Sequence, residues 1–120
     1  MKFVYVALGG AFGAMARYAL SLIPVKSDFP ILTLVTNILG AILIGFIVGI
    51  AEAKNGVSDE AMLFLKTGVC GGFTTFSTFS LEAANMFDEK RAFAGGLYMV
   101  LSCTFCVLGV YVGRKISATF

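Results

Sequence analysis

The sequence predicts an all-α integral membrane protein with four transmembrane helices, the third broken near its middle, forming a single domain over residues 1–120. Three observations predict it. Of the 120 residues, 58% are hydrophobic and only 13% are charged, whereas a soluble domain is about 45–50% apolar and about 25% charged. The apolar residues fall into four runs, each close to the ~20 residues that one membrane crossing requires. One of those runs contains Gly71-Gly72-Phe73-Thr74-Thr75-Phe76-Ser77-Thr78-Phe79-Ser80, in which glycines and hydroxyl side chains weaken helix continuity.

The first run, Phe3 to Ile23, is interrupted by Arg17. Lys2 before it and Ala14-Met15-Ala16 within it imitate a cleavable leader, but the run resumes after Arg17 and carries Gly9-x-x-x-Gly13, a surface for close helix approach. Pro24 to Pro30 is a short loop. The second run, Ile31 to Ala51, has no charge and holds Thr33, Thr36 and Asn37. Glu52 to Glu60 is a polar loop with Asn55-Gly56 as its turn signal. The third run, Ala61 to Met86, contains the broken stretch, with Lys66 and Glu82 toward its ends. After the charged loop Asp88-Glu89-Lys90-Arg91, the fourth run spans Ala92 to Val112 and Arg114-Lys115 closes it. Gly45-x-x-x-Gly49, Gly68-x-x-x-Gly72 and Gly109-x-x-x-Gly113 give every span a small-residue surface, which predicts a tight, oligomeric bundle.

Several function classes are excluded or disfavoured. A net charge of +2 without a basic run gives no nucleic-acid footprint. There is no histidine, so histidine metal sites and proton relays are excluded. No nucleophile–base pair or metal-ligand cluster is present, so an enzyme is not expected. Cys103-x-x-Cys106 has redox spacing but lacks the βαβ context of a thioredoxin-like site; with Cys70, these residues read as small, soft side chains on membrane helices.

A helix break at membrane depth survives only where it is buried in protein or lines a polar cavity. Its upstream half ends in free carbonyls, which suit a small cation such as Na⁺, and its downstream half begins with free N–H groups, which suit an anion. Phe76 and Phe79 share a face if the chain is helical again there. They either pack the core or turn their positive ring edges into a narrow passage, where they would suit an anion. Thr33 and Asn37 also share a face, and Asn37 either binds a neighbouring helix or lines a pathway. Tyr98, Ser102 and Cys106 form a stripe of hydrogen-bond donors along the fourth run. Arg17 and Glu82 are the deep charges: they pair, or Arg17 sits in an anion-accessible vestibule. Lys66 is expected to snorkel to an interface. Neutral donors and ring edges, with no ladder of charges, suit a small, strongly hydrated anion.

Four spans place both termini and the middle loop on one side, with Lys2, Lys54, Arg114 and Lys115; the other side carries Lys26, Lys90 and Arg91. The Lys/Arg bias that sets orientation is almost absent. This suits a chain inserted both ways and paired as an antiparallel dimer, unless the few remaining charges or the lipid still choose one orientation.

Taken together, Gly9-Gly10-x-x-Gly13-Ala14-x-x-Arg17-Tyr18, Thr33-Leu34-x-x-Asn37-x-x-Gly40 and the Gly71–Ser80 stretch resemble the Fluc fluoride channel family over essentially the whole chain. The resemblance implies a dual-topology antiparallel homodimer, multi-pass in the plasma membrane of a microbe, that exports fluoride passively through two narrow pores. It implies pore-lining roles for Asn37, Phe76, Phe79, Tyr98 and Ser102, with Arg17 at the vestibule. It also implies a structural Na⁺ held by the backbone carbonyls of Gly71 and Thr74 from each subunit. The chain departs from the family at Cys106, where Ser or Thr is usual, and at Thr36, where a small apolar residue is usual. The competing readings are a proton-coupled exporter of the small multidrug-resistance type, which wants a carboxylate where the first helix has Arg17, and a structural membrane subunit, which predicts scattered rather than aligned hydroxyls.

Overall fold

The computed structural model describes residues 1–120. It is helical throughout, with no strand: α1 (Lys2–Ser21), α2 (Ile31–Lys54), α3 (residues 59–73), α4 (Phe76–Asp88) and α5 (Ala92–Ser117). By length and composition α1, α2 and α5 are each able to cross a membrane. α3 and α4 share the remaining crossing and are separated by extended backbone at Thr74 (φ −81°, ψ 156°) and Thr75 (φ −146°, ψ 110°). The expected break is therefore two residues wide and falls on the paired threonines.

Helix ends follow local chemistry. Pro30 precedes α2, and Asn55, in the left-handed region at φ 49°, terminates it. The Ser58 hydroxyl accepts the Ala61 N–H at 3.1 Å to start α3, and Asp59 and Glu60 in the first turn complement the helix dipole. α2 and α5 extend beyond the expected Ile31–Ala51 and Ala92–Val112. Lys54 and the pair Arg114 and Lys115 lie in their last turns, where cations stabilise the carbonyl end. α3 holds one feature that composition does not announce: Leu63–Cys70 is π-helical, between α-helical Asp59–Met62 and Gly71–Phe73. Such wide turns recur near functional segments.

Two helix pairs build the bundle: α1 lies on α3, and α2 lies on α5. The glycine motifs make both seams. A Cβ added at Gly68 would come within 2.7 Å of the Gly9 Cα, and one at Gly113 within 2.7 Å of the Phe46 N. The GxxxG surfaces expected to drive oligomerisation are thus largely occupied within the protomer. In lipid, where no hydrophobic force joins helices, such backbone approach supplies the dispersion contacts that do.

The exterior is apolar. Phe3, Phe12, Met15, Val100 and Tyr111 are all exposed, the reverse of a soluble helix bundle and the arrangement a lipid-facing surface requires. A small core of Phe79, Ala83, Met86 and Tyr98 joins α4 to α5, with Phe29, Leu34 and Ala94 packed against it. Across one end of the bundle, Arg91 Nη1 donates to the Asp28 carbonyl at 3.1 Å, tying the two loops there together.

The α1–α3 seam gives a direct test. Gly68→Ala pushes a methyl into backbone that cannot move aside, so it should destabilise the detergent-solubilised protein by about 1–3 kcal/mol. Gly96→Ala meets no atom within 4 Å and, inside α5, should not destabilise the protein and should stabilise it slightly. Equal melting curves for the two variants would contradict this packing.

Candidate functional site: a broken helix beside a donor-lined groove

The site is built around the break between α3 and α4. In an unbroken helix the Thr75 N–H would bond the Gly71 carbonyl, and the Thr78 N–H the Thr74 carbonyl. Neither bond forms. The Thr75 N–H donates to Asn37 Oδ1 at 2.8 Å, and the Thr78 N–H donates to Thr75 Oγ1 at 3.1 Å. Asn37 Nδ2 returns a bond to the Thr75 carbonyl at 3.1 Å. One amide of α2 therefore satisfies both backbone groups of Thr75, while Thr75 caps α4 with its hydroxyl. Of the two alternatives for Asn37, the structure shows helix bridging, and Asn37 also lines the adjacent groove.

The neighbouring carbonyls are divided between satisfied and free. The Cys70 carbonyl accepts both the Thr74 N–H (3.0 Å) and the Thr74 hydroxyl (2.9 Å). The Gly72 carbonyl accepts Arg17 Nε at 3.2 Å. Gly71 and Thr74 are left with carbonyls whose helical donors have been diverted. Gly71 faces open space, since a Cβ there would meet nothing within 4 Å. A Cβ added at Gly40 on α2 would collide with the Thr74 methyl.

A groove of about 600 Å³ runs beside the break. Asn37 of α2, Thr74 and Thr75 at the break, Phe76 and Phe79 of α4, and Ser102 and Cys106 of α5 all line it. The Phe76 and Phe79 rings lie 5.5 Å apart at 45°, so the two phenylalanines do share a face. Their environments differ: Phe76 is 77% exposed and Phe79 only 7%. The Ser102 hydroxyl is buried and has no hydrogen-bond partner, so it retains a free donor at the groove wall. Lys66, expected to snorkel, also lines this groove.

Other residues of the sequence-based set lie elsewhere. Tyr98 is fully buried and outside the groove lining, with its ring 5.0 Å from that of Phe79 and 5.4 Å from that of Phe29. Arg17 lies off the groove, beside a separate cavity of about 100 Å³ lined also by Ser21, Thr33, Thr36, Thr75 and Thr78. Of the two alternatives for Arg17, pairing with Glu82 does not occur. Glu82 instead accepts the Thr33 hydroxyl on Oε2 and the Tyr98 hydroxyl on Oε1, both at 3.1 Å. Sequence reasoning found the Thr33/Asn37 and Tyr98/Ser102 alignments but offered Glu82 only Arg17 as a partner. The signal available was a carboxylate in α4 within reach of hydroxyls on two other helices, which only the tertiary packing reveals.

Asn37→Ala removes both bonds to Thr75 and leaves its N–H and carbonyl unpaired in a partly buried place. The expected loss is about 1–3 kcal/mol of stability, measured by unfolding in detergent. A variant as stable as the parent would show that the bridge is dispensable.

Comparison with known proteins agrees with this architecture. Residues 4–114 match the family model described as CrcB-like protein, Camphor Resistance (CrcB). A fluoride-specific ion channel FluC of Ruminiclostridium cellulolyticum is 44% identical over 119 residues, covering 97% of this chain and 92% of the relative. One from Methanococcus maripaludis is 41% identical over 120 residues, covering 99% and 98%. The fluoride-specific ion channel FluC 1 of Staphylococcus aureus strain NCTC 8325 is 39% identical over 116 residues, covering 97% and 96%. With a family match across nearly its whole length and relatives this similar, the chain is a multi-pass membrane protein that belongs to the CrcB-like, or Fluc, family.

Proposed function

We propose that this chain is a fluoride-selective passive channel that exports fluoride across the cell membrane through two narrow pores of an antiparallel homodimer. The observation that carries the reading is the groove beside the break. It is lined by the Asn37 amide, the Phe76 and Phe79 rings and the unpartnered Ser102 hydroxyl, and no carboxylate reaches it. Fluoride holds its water strongly, so a path for it must replace that water with several donors and still release the ion. Neutral donors and positive ring edges meet both requirements, because each bond is modest and none carries a trapping charge. The curated relatives named above carry fluoride-specific channel names.

Within this reading, Asn37, Phe76, Phe79 and Ser102 form the anion path. Tyr98 supports it from behind Phe79 while its hydroxyl holds Glu82. Arg17 contributes positive potential beside the break as a vestibule residue. The groove opens along one side of the protomer, and a second, inverted copy would close it into a pore. The near-equal Lys/Arg count on the two sides of the chain is compatible with such dual insertion.

A structural Na⁺ fits the same frame. Its ligands would be the carbonyls of Gly71 and Thr74 from each subunit. These are the two carbonyls at the break whose helical N–H donors go to Asn37 and Thr75 instead, and hard oxygen donors suit a hard cation. When bound, the ion supplies fixed positive charge and a bond between the two break regions. The proton-coupled exporter reading has no comparable support, since both oxygens of Glu82 are engaged by hydroxyls.

Reconstituted into liposomes, the protein should pass fluoride and not chloride when a gradient is released; equal passage of both ions, or of neither, refutes the reading. Phe76 is the cleaner probe of the ring-edge mechanism, because its exposure makes substitution nearly neutral for folding, within about 0.5 kcal/mol. Phe76→Ile removes the positive rim and should lower fluoride throughput by roughly tenfold, the equivalent of about 1.4 kcal/mol, with melting unchanged. Wild-type flux in that variant would eliminate the ring-edge role. Exchanging Na⁺ for a large organic cation should weaken dimerisation or flux, and indifference to the exchange would remove the ion from the scheme.

A further inference from the structure

The groove carries a single charge. Lys66 is its only ionisable side chain apart from thiols; the polar neighbours Asn37, Thr67, Thr74 and Ser102 are neutral. Lys66 is exposed, and the one ion pair in the protein joins Arg91 to Glu89, so its ammonium is uncompensated. It stands seven residues into α3, about 10 Å along the helix axis, between the end of the bundle near Asn55 and the break at Thr74. An unpaired cation at that depth is costly in hydrocarbon and persists where water reaches it. The groove supplies that water-accessible setting.

We infer that Lys66 is an anion-collecting residue: its ammonium raises the concentration of small monovalent anions in the groove and so sets throughput when salt is low. The inference rests on the groove being the anion path. The charge acts through its field and makes no contact that fixes the ion. Arginine therefore replaces it, a neutral residue loses the enrichment, and an acid reverses it. One unit charge ~7 Å from an anion in water changes its local concentration about threefold, and reversing the sign changes it close to tenfold. Screening separates this role from a structural one, because the field reaches ~30 Å at about 10 mM salt but only ~3 Å at about 1 M. An amine that snorkels along the helix to the lipid headgroups predicts no such dependence.

The test is fluoride flux from liposomes for the parent, Lys66→Arg, Lys66→Gln and Lys66→Glu, at about 10 mM and about 1 M of an impermeant salt. At low salt, Lys66→Arg should match the parent, Lys66→Gln should fall about threefold and Lys66→Glu close to tenfold; at high salt all four should converge. Parent flux in every variant at low salt overturns the inference, and so do losses that are equal for Gln and Glu and insensitive to salt. The parent alone gives a second reading, since its flux per fluoride should decline as salt rises; a flat salt dependence also overturns the role of Lys66. If the parent passes no fluoride, the functional reading itself fails, and that result is distinct from normal parent flux with indifferent Lys66 variants.

Discussion

The two hydrogen bonds between the Asn37 amide and the backbone of Thr75 are the constraint on which the rest of this molecule depends. A chain crossing hydrocarbon must satisfy every backbone donor and acceptor internally, and a break in a helix violates that rule unless another group intervenes. Asn37 intervenes because an amide side chain offers a donor and an acceptor at the spacing of a peptide group. By taking the Thr75 N–H, it prevents α3 from continuing and leaves the Gly71 carbonyl free. The Thr75 hydroxyl then captures the Thr78 N–H, which starts α4 and leaves the Thr74 carbonyl free. The direction of α4, and with it the placement of Phe76 and Phe79, follows from this one bridge.

Packing around the break has the same logic. Arg17 reaches from α1 to the Gly72 carbonyl, which supplies a third helix with a stake in the interruption. That reach depends on α1 lying almost in backbone contact with α3, which the glycines at positions 9, 13, 68 and 72 permit. The large side chains that a soluble protein would bury are turned outward instead. Apart from Ile47 and the cluster around Phe79, Met86 and Tyr98, what lies inside is small or polar, so much of the interior is organised by hydrogen bonds and close backbone approach.

Apart from Lys66, charge is kept out of the groove. Glu82 is held by hydroxyls from α2 and α5, which keeps the carboxylate away from the groove lining while linking three helices. Arg17 is held on the other side of the break. Besides Lys66, the polar lining of the groove is an amide, hydroxyls and thiols, beside the two phenylalanine rings. Such a surface interacts with an ion through several weak terms, and its selectivity depends on how closely their geometry matches the ion.

Taken alone, the sequence determined the membrane class, the four crossings, the position of the break and the alignment of Thr33 with Asn37 and of Ser102 with Cys106. These are consequences of composition, run length and helical period, all of which are local properties of the chain. Only the tertiary structure decided what the polar groups bond to. Which backbone Asn37 bridges, whether Arg17 met Glu82 or the Gly72 carbonyl, and whether Tyr98 lined the groove or stood behind Phe79 all depend on contacts between residues far apart in sequence. The π-helical turns of Leu63–Cys70 were equally invisible, because nothing in the local sequence separates a wide helical turn from an ordinary one. Periodicity tells which side of a helix a residue is on; it does not tell which neighbour that side meets.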